Sequence, residues 1–180
     1  RLLGTGTLDA IPGVSLTDPF RTRVLTSGFD AVFSDRAADG SPILHLCSGD
    51  LYVTVTSTGT SAPKSITDWG QVRNNLQGTA RVDAALTAKD GKLYLFAGDQ
   101  YYRYSDPTPL LIGPAFVDEG YPLSIRTRFA SEGISPLPAA MYSKVDAAFR
   151  DSDDTYYFFS GNQFSHSTDP YTLQKIRPVF

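Results

Sequence analysis

Val82-Asp83-Ala84-Ala85-Leu86 comes back as Val145-Asp146-Ala147-Ala148-Phe149 and, more loosely, as Phe29-Asp30-Ala31-Val32-Phe33. Each copy is a short apolar run with Asp at its second position. Each is followed by a polar turn, a second apolar run, and a Gly with Asp or Asn after it. Asp83 to Gly98 and Asp146 to Gly161 are both 15 residues, and Asp30 to Gly49 is 19. The first unit is therefore expected to carry about four extra residues in its turn. Three copies in one chain define a repeat protein, and every motif has to be read against that frame.

The second unit is the most regular. Strand Val82–Leu86 leads through the turn Lys89-Asp90-Gly91-Lys92 into strand Leu93–Phe96. Ala97-Gly98-Asp99 turns the chain into Gln100–Tyr104. Apolar runs joined by short Gly-Asp turns are hairpin signals. The third unit repeats this with turns at Asp151–Asp154 and Ser160–Asn162. The first has Ile43–Cys47 and Leu51–Thr56 on either side of Ser48-Gly49-Asp50. Three or four strands in units that begin 53 and 63 residues apart fit the blades of a propeller, whose small sheets bury their faces only by stacking on neighbours. Small Ala residues suit the crowded innermost strand. Thr67 or Asp68 is placed to cap a short helix after the first unit, and Ile125–Phe129 fits either an outer strand or a short helix. A Pro-rich connection (Pro107, Pro109, Pro114) precedes the latter. Residues 1–28 are the least regular: Leu8-Asp9-Ala10-Ile11 resembles the opening of a unit, but Pro12-Gly13 stops it.

The totals agree with an all-β chain. There are 10 Tyr, 11 Phe, 15 Gly and 12 Pro in 180 residues, a mixture suited to strands and tight turns, and enough chain to bury a core. A formal charge of −3 without a Lys/Arg run argues against nucleic acid as a partner. No apolar stretch approaches the roughly 18 residues of a membrane span. The single cysteine, Cys47, rules out an intrachain disulfide and leaves the compartment open.

With the units aligned, the chain resembles the hemopexin repeat family. The resemblance rests on Val82-Asp83-Ala84-Ala85, on Leu93-Tyr94-Leu95-Phe96-Ala97-Gly98-Asp99, on Gln100-Tyr101-Tyr102-Arg103-Tyr104, and on the closing Tyr121-Pro122 with Ile125. The third unit matches through Tyr156–Phe159 and Gly161-Asn162-Gln163-Phe164, but has Ser165-His166-Ser167 where Tyr102-Arg103-Tyr104 stand. The first matches weakly, with Thr54 in the place of Arg103. Long units without a disulfide are similar in style to the plant seed-albumin and bacterial photopexin branch. The resemblance implies one four-bladed propeller over residues 1–180: a partial unit at 1–28 and repeats at 29–81, 82–144 and 145–180. A fourth full blade would then come from the terminal segments, from a part of a longer protein, or from self-association with a second chain.

The resemblance also implies one calcium or sodium ion on the axis, held by backbone carbonyls of the inner strands, here those of Asp30, Asp83 and Asp146; hard cations take such oxygens. The residues themselves offer another role: Asp at a strand entrance accepts hydrogen bonds from backbone amides. Trp69, Tyr102, Arg103 and Tyr104 are candidates for ligand recognition, since Tyr, Trp and Arg carry much interface energy. Alternation sets Tyr102 and Tyr104 on one face and Tyr101 and Arg103 on the other, so one pair is expected between blades. His45 and Cys47 share a strand face, but align with the packing residues Tyr94 and Phe96 and are expected in the core. His166 aligns with Arg103. Haem is not expected, because the family holds it between two propeller domains and this chain provides at most one. Asp151–Asp154 lacks the Gly and distant Glu of a helix-loop-helix calcium site and is expected to be a plain hairpin turn.

No nucleophile elbow, zinc-protease motif or phosphate loop is present, and the chain is expected not to be an enzyme. The expected function is a non-enzymatic binding module for a glycan or small ligand, lectin-like or of the polyamine/haem type associated with the seed-albumin branch. A protein-recognition or assembly domain of a larger secreted protein, such as a bacterial toxin component, is the alternative. A glycosidase is a third, remote one, and needs two carboxylates flanking a cleft.

Overall fold

The computed structural model describes residues 14–37, 39–69, 81–106 and 117–176; Leu8–Ile11 and the Pro107–Pro114 connection lie outside them. Three antiparallel sheets follow one another along the chain. The first holds β1 (Ala31–Arg36), β2 (Pro42–Ser48), β3 (Leu51–Thr56) and β4 (Gly59–Thr60) in that order, with β5 (Lys64–Ser65) also paired to β3. The second runs β6 (Ala84–Thr87), β7 (Leu93–Ala97), β8 (Gln100–Tyr104), β9 (Leu123–Ser124). The third runs β10 (Ala147–Arg150), β11 (Tyr156–Ser160), β12 (Gln163–His166), β13 (Asp169–Lys175). The innermost strands lie side by side, with β6 against both β1 and β10.

The same bonds recur in each repeat. Asp30, Asp83 and Asp146 donate their backbone N–H to the carbonyls of Cys47, Phe96 and Phe159, at 2.9, 2.8 and 2.8 Å. The closing Ile66, Ile125 and Ile176 donate theirs to the carbonyls of Asp50, Asp99 and Asn162. The first turns close from Ala37 to Ser41, Ala88 to Lys92 and Asp151 to Thr155. In those turns Gly40, Gly91 and Asp154 share a left-handed backbone, which is why Gly stands there twice and a short polar residue once. The Asp151–Asp154 segment is thus the hairpin turn expected of it.

The four extra residues of the first repeat are not in its turn, as the spacing suggested. They lengthen the two strands beside it: β1 has six residues where β6 and β10 have four, and β2 has seven where β7 and β11 have five. Pairing runs out to Arg36 opposite Pro42. Extending a hairpin by two residues on each arm preserves the inside–outside alternation, so the insertion costs no packing register.

Each sheet has a forward face, toward the next repeat, and a rear face. Alternation sets Phe33, His45, Cys47 and Tyr52 on the forward face of the first sheet, and all are buried. The corresponding Leu86, Tyr94, Phe96 and Tyr101 of the second sheet are buried too. Phe129, just after helix α2 (Ile125–Arg128), is wedged between the second and third sheets. Its ring meets Phe96 at 5.3 Å, Tyr101 at 5.1 Å and Phe158 at 5.7 Å, all edge-on. Ile125–Phe129 is therefore helical, and the outer strand of that sheet is only Leu123–Ser124.

Two further corrections concern short helices. Helix α1 (Phe20–Ser27) was not apparent in the sequence; its Phe20 and Val24 form a second apolar cluster with Leu46 and Val53 on the rear of the first sheet. It ends at Gly28, whose left-handed φ and N–H bond to the Val24 carbonyl stop the helix. The single turn Ile66–Trp69 is opened by Ser65, whose Oγ accepts the Thr67 N–H at 3.3 Å; neither Thr67 nor Asp68 is its capping residue.

Candidate functional site

The three repeated aspartates gather at one end of the inner strands. Each carboxylate accepts the N–H of the Gly that turns the second hairpin of its own repeat: Gly49 to Asp30 at 2.6 Å, Gly98 to Asp83 at 2.8 Å, Gly161 to Asp146 at 2.7 Å. Two cations link them across sheets. Arg81 reaches Asp83 at 2.8 Å and Asp30 at 3.5 Å, and Lys144 reaches Asp146 at 2.6 Å and Asp83 at 3.6 Å. Both stand two residues before the Asp of their own repeat and bridge to the Asp of the repeat before. The result is an alternating arc, Asp30–Arg81–Asp83–Lys144–Asp146. Burial pushes the Asp146 carboxyl up, but the bonds from Lys144 and Gly161 outweigh it and hold the group below its ordinary range. Lys144 is shifted up, chiefly by its bond to Asp146.

Beside this arc a cavity of about 710 Å³ opens against α1, lined by Asp18, Thr22, Arg23, Thr26, Asp30 and Arg81 among others. Thr22 Oγ1 donates to Asp18 at 2.7 Å, and Arg23 is paired with Asp50. At the opposite end, about 670 Å³ lies between the inner strands, bounded by Val32, Ala85, Ala148 and Phe149 with Arg36 and Arg150 at its rim.

The aromatic recognition candidates sit elsewhere. Tyr102 and Tyr104 are buried, so both are packing residues rather than surface. Tyr101 is buried on the other side of the same strand. Arg103 is committed within the protein: its Nε bonds Asp118, its Nη1 bonds Glu132 at 3.0 Å, and its guanidinium lies 4.7 Å from the Tyr121 ring centre. Trp69 is the last residue of its helical turn.

Glu132 is not among the residues that repeat spacing or motif marks. Its carboxylate accepts from Tyr94 at 3.2 Å, Tyr101 at 2.7 Å and Tyr121, as well as from Arg103. Burial works to raise Glu132, but these donors prevail and hold it below its ordinary value. The three phenols are shifted up, by burial first and then by Glu132. Nothing local marks this residue, because its partners come from two strands and a loop.

The histidines are also accounted for. His45 is buried with its ring stacked on Phe33 at 4.6 Å; burial, then the charge of Lys64, pushes it down to about 4. Cys47 beside it is fully buried, and burial followed by the Asp30 charge raises its thiol. His166 lies 2.6 Å from Thr168 Oγ1 and 3.1 Å from Gln174 Nε2. Among the described residues, no group of three or more His, Cys, Asp and Glu side chains is arranged to hold a metal. No helix among them is long and apolar enough to cross a membrane.

Comparison with known proteins fits this architecture. The hemopexin family model matches residues 82–131 and 145–179. The interstitial collagenase of Equus caballus is 35% identical over 105 residues, 55% of this chain; the chain spans 19% of that protein's length. Among solved structures, the hemopexin-fold protein CP4 from cow pea superposes with a TM-score of 0.60 at 17% identity, over 86% of this chain and 70% of that one. A plant lectin with two metal binding sites from Cicer arietinum does so with a TM-score of 0.56 at 17% identity, over 87% and 66%. Repeat bonds, matched residues and fold agree: the second and third repeats, residues 82–131 and 145–179, are hemopexin repeats.

Proposed function

We propose that the protein is a non-enzymatic, lectin-like binding module that takes a glycan or similarly hydroxyl-rich small ligand at the aspartate end of its inner strands. One observation carries this: the cavity there is lined by carboxylate, guanidinium and hydroxyl groups from α1 and the first two repeats. Asp and Arg are suited to neighbouring sugar hydroxyls, and the Thr hydroxyls donate or accept as required. The fold is shared with a plant lectin, which supports the reading without fixing the sugar.

The expected axial cation is part of the same proposal. Arg81 and Lys144 already neutralise the Asp side chains, so the carboxylates do not fit a cation's needs. Main-chain carbonyls of Asp30, Asp83 and Asp146 fit better, but three strands supply at most half of the six to eight oxygens calcium prefers. Water or a further strand would have to complete the shell.

The experiment is a glycan array on the intact chain, with calorimetric titration of spermidine as the small-ligand arm and of calcium after chelator treatment. Binding in the array that Asp18→Ala and Thr22→Val each weaken at least tenfold supports the proposal. An array and a polyamine titration that are both silent would sink it. Absence of both heat and a melting shift with calcium would remove the ion alone.

A further inference from the structure

The lengthened hairpin of the first repeat builds something the other repeats lack. Pairing in the second and third hairpins ends at Thr87 opposite Leu93 and at Arg150 opposite Tyr156. In the first it passes the equivalent pair, Ser34 opposite Leu44, and adds Asp35 opposite Ile43 and Arg36 opposite Pro42. Arg36 and Pro42 of this extension line the cavity of about 670 Å³ at the end of the inner strands opposite the repeated aspartates.

This cavity is polar at its mouth and apolar within. Ser34, Thr87 and Arg150 hold the same position on β1, β6 and β10, with Arg36 beyond them. Thr87 Oγ1 donates to the Ser34 carbonyl at 3.3 Å and ties two of these strand ends together. One residue inward the lining is Phe33, Leu86 and Phe149, and two residues inward it is Val32, Ala85 and Ala148. Val32 and Phe149 are 49% and 47% exposed, so this apolar wall is open to a ligand. Arg36 and Arg150 are the only ionisable groups in the lining. Both are anchored: Arg36 Nη1 donates to the Gly40 carbonyl at 3.0 Å, and Arg150 Nη1 to Asp154. Lys89 reaches the same Asp154 carboxylate at 2.6 Å, so one anion there serves two cations. The acidic residues of the neighbouring turns are engaged in those turns. Asp39 accepts the Ser41 N–H, Asp151 accepts those of Asp153 and Thr155, and Asp90 is paired with Lys92.

We propose that this cavity binds a straight-chain monocarboxylate of medium length, a free fatty acid, with its carboxylate at Arg36 and Arg150 and its chain between the inner strands. A guanidinium takes a carboxylate through paired N–H bonds, and the Ser34 and Thr87 hydroxyls at the mouth are further donors. The apolar lining removes the chain from water. From the mouth to the level of Val32 is two strand residues, about 7 Å, which suits a medium chain rather than a long one. The volume is that of a small-molecule pocket, in the range of about 300–1,000 Å³. An amine would meet two like charges, and an alcohol would bring the arginines no anion. The site shares no residue with the cavity beside α1, so it stands or falls independently of the glycan reading.

The test is calorimetric titration of the intact chain with sodium octanoate, octanol and octylamine. Octanoate is expected to bind one to one, with affinity rising about fourfold per methylene from hexanoate to octanoate. Octanol is expected to bind about tenfold more weakly or worse, and octylamine not at all. Arg36→Gln and Arg150→Gln should each weaken octanoate binding about tenfold. Val32→Asp sets a carboxylate at an exposed position of the lining and should abolish binding with the circular dichroism spectrum unchanged. Asp18→Ala, which probes the cavity beside α1, should leave octanoate binding as it is. No heat with octanoate, equal affinity for octanol, or octanoate binding that survives Arg36→Gln and Arg150→Gln combined would overturn the proposal. Octanoate binding lost in Asp18→Ala would assign the carboxylate to the other cavity and overturn it as well.

Discussion

Asp83 differs from its two copies in where it sits, and chemistry so alike in all three lets position be weighed alone. Its side chain is buried, and it accepts from Gly98 while facing both Arg81 and Lys144. Asp83→Ala would take the acceptor from the Gly98 N–H and remove the buried, shared anion of two cations, at a cost of about 2–4 kcal/mol. Asp146 makes the equivalent Gly bond at the open end, where water can replace it, and Asp146→Ala should cost about 1 kcal/mol. Urea unfolding of both variants checks the order; equal losses would mean that burial is not the deciding factor. His45 gives a pH prediction. Its folded pKa is about 4 against an ordinary 6.5, so the unfolded chain binds the extra proton between these values. Stability must then fall as the pH drops from about 6.5 to 4, by about 3 kcal/mol in all, and be flat above that window for this group. His45→Phe keeps an aromatic against Phe33, as Tyr94 and Tyr157 do in the other repeats, and should remove this slope from the unfolding curves.

At the scale of elements, the Glu132 centre fastens β7, β8 and the loop after α2 to one another through one carboxylate. Glu132→Gln keeps the shape but replaces a charge-assisted acceptor of three phenols and a guanidinium, and should destabilise by about 2–4 kcal/mol. Because the folded carboxyl lies below its ordinary 4.5, its contribution is complete above that value and is lost as the pH falls through the folded pKa. Wild type and Glu132→Gln should therefore converge in stability in acid; parallel curves down to pH 3 would refute the assignment. This centre also marks how far the sequence could be read. The strands, both kinds of Gly turn and the core position of His45 and Cys47 were legible, because repeat spacing and alternation are local and periodic. The role of Asp at the strand entrance was legible as one of two options. The internal pairing of Arg103 was not legible, since its partners Asp118 and Glu132 lie 15 and 29 residues away at no repeated spacing. Helix α1 was hidden for a related reason: Asp18-Pro19 reads as a turn, and only Phe20 and Val24 of the helix face the sheet.

For the whole molecule, the question is whether sheets that stack in series also come apart in series. Repeat assemblies are stabilised by each unit and by each interface between neighbours, so their weakest interface need not open together with the rest. The single cysteine sits where this can be read: Cys47 is on the forward face of the first sheet, fully buried in the core that continues into the second. Burial disfavours its thiolate, the form that reacts, so the native protein should be inert to an aromatic disulfide reagent. Labelling then requires the first and second sheets to separate. Phe129 is packed between the second and third sheets, and Phe129→Ala should weaken that interface by about 3–5 kcal/mol. If the three sheets unfold as one unit, Phe129→Ala will speed Cys47 labelling by the same factor as it shifts the global unfolding constant measured by circular dichroism. If the first sheet opens alone, labelling at low denaturant will keep its wild-type rate although global stability has dropped. We expect the coupled outcome, because Ala31, Phe33, Cys47 and Tyr52 share one continuous apolar cluster with Phe96, Phe129 and Phe158. Labelling rates of Cys47 in wild type and Phe129→Ala, compared over the same urea series, decide between the two.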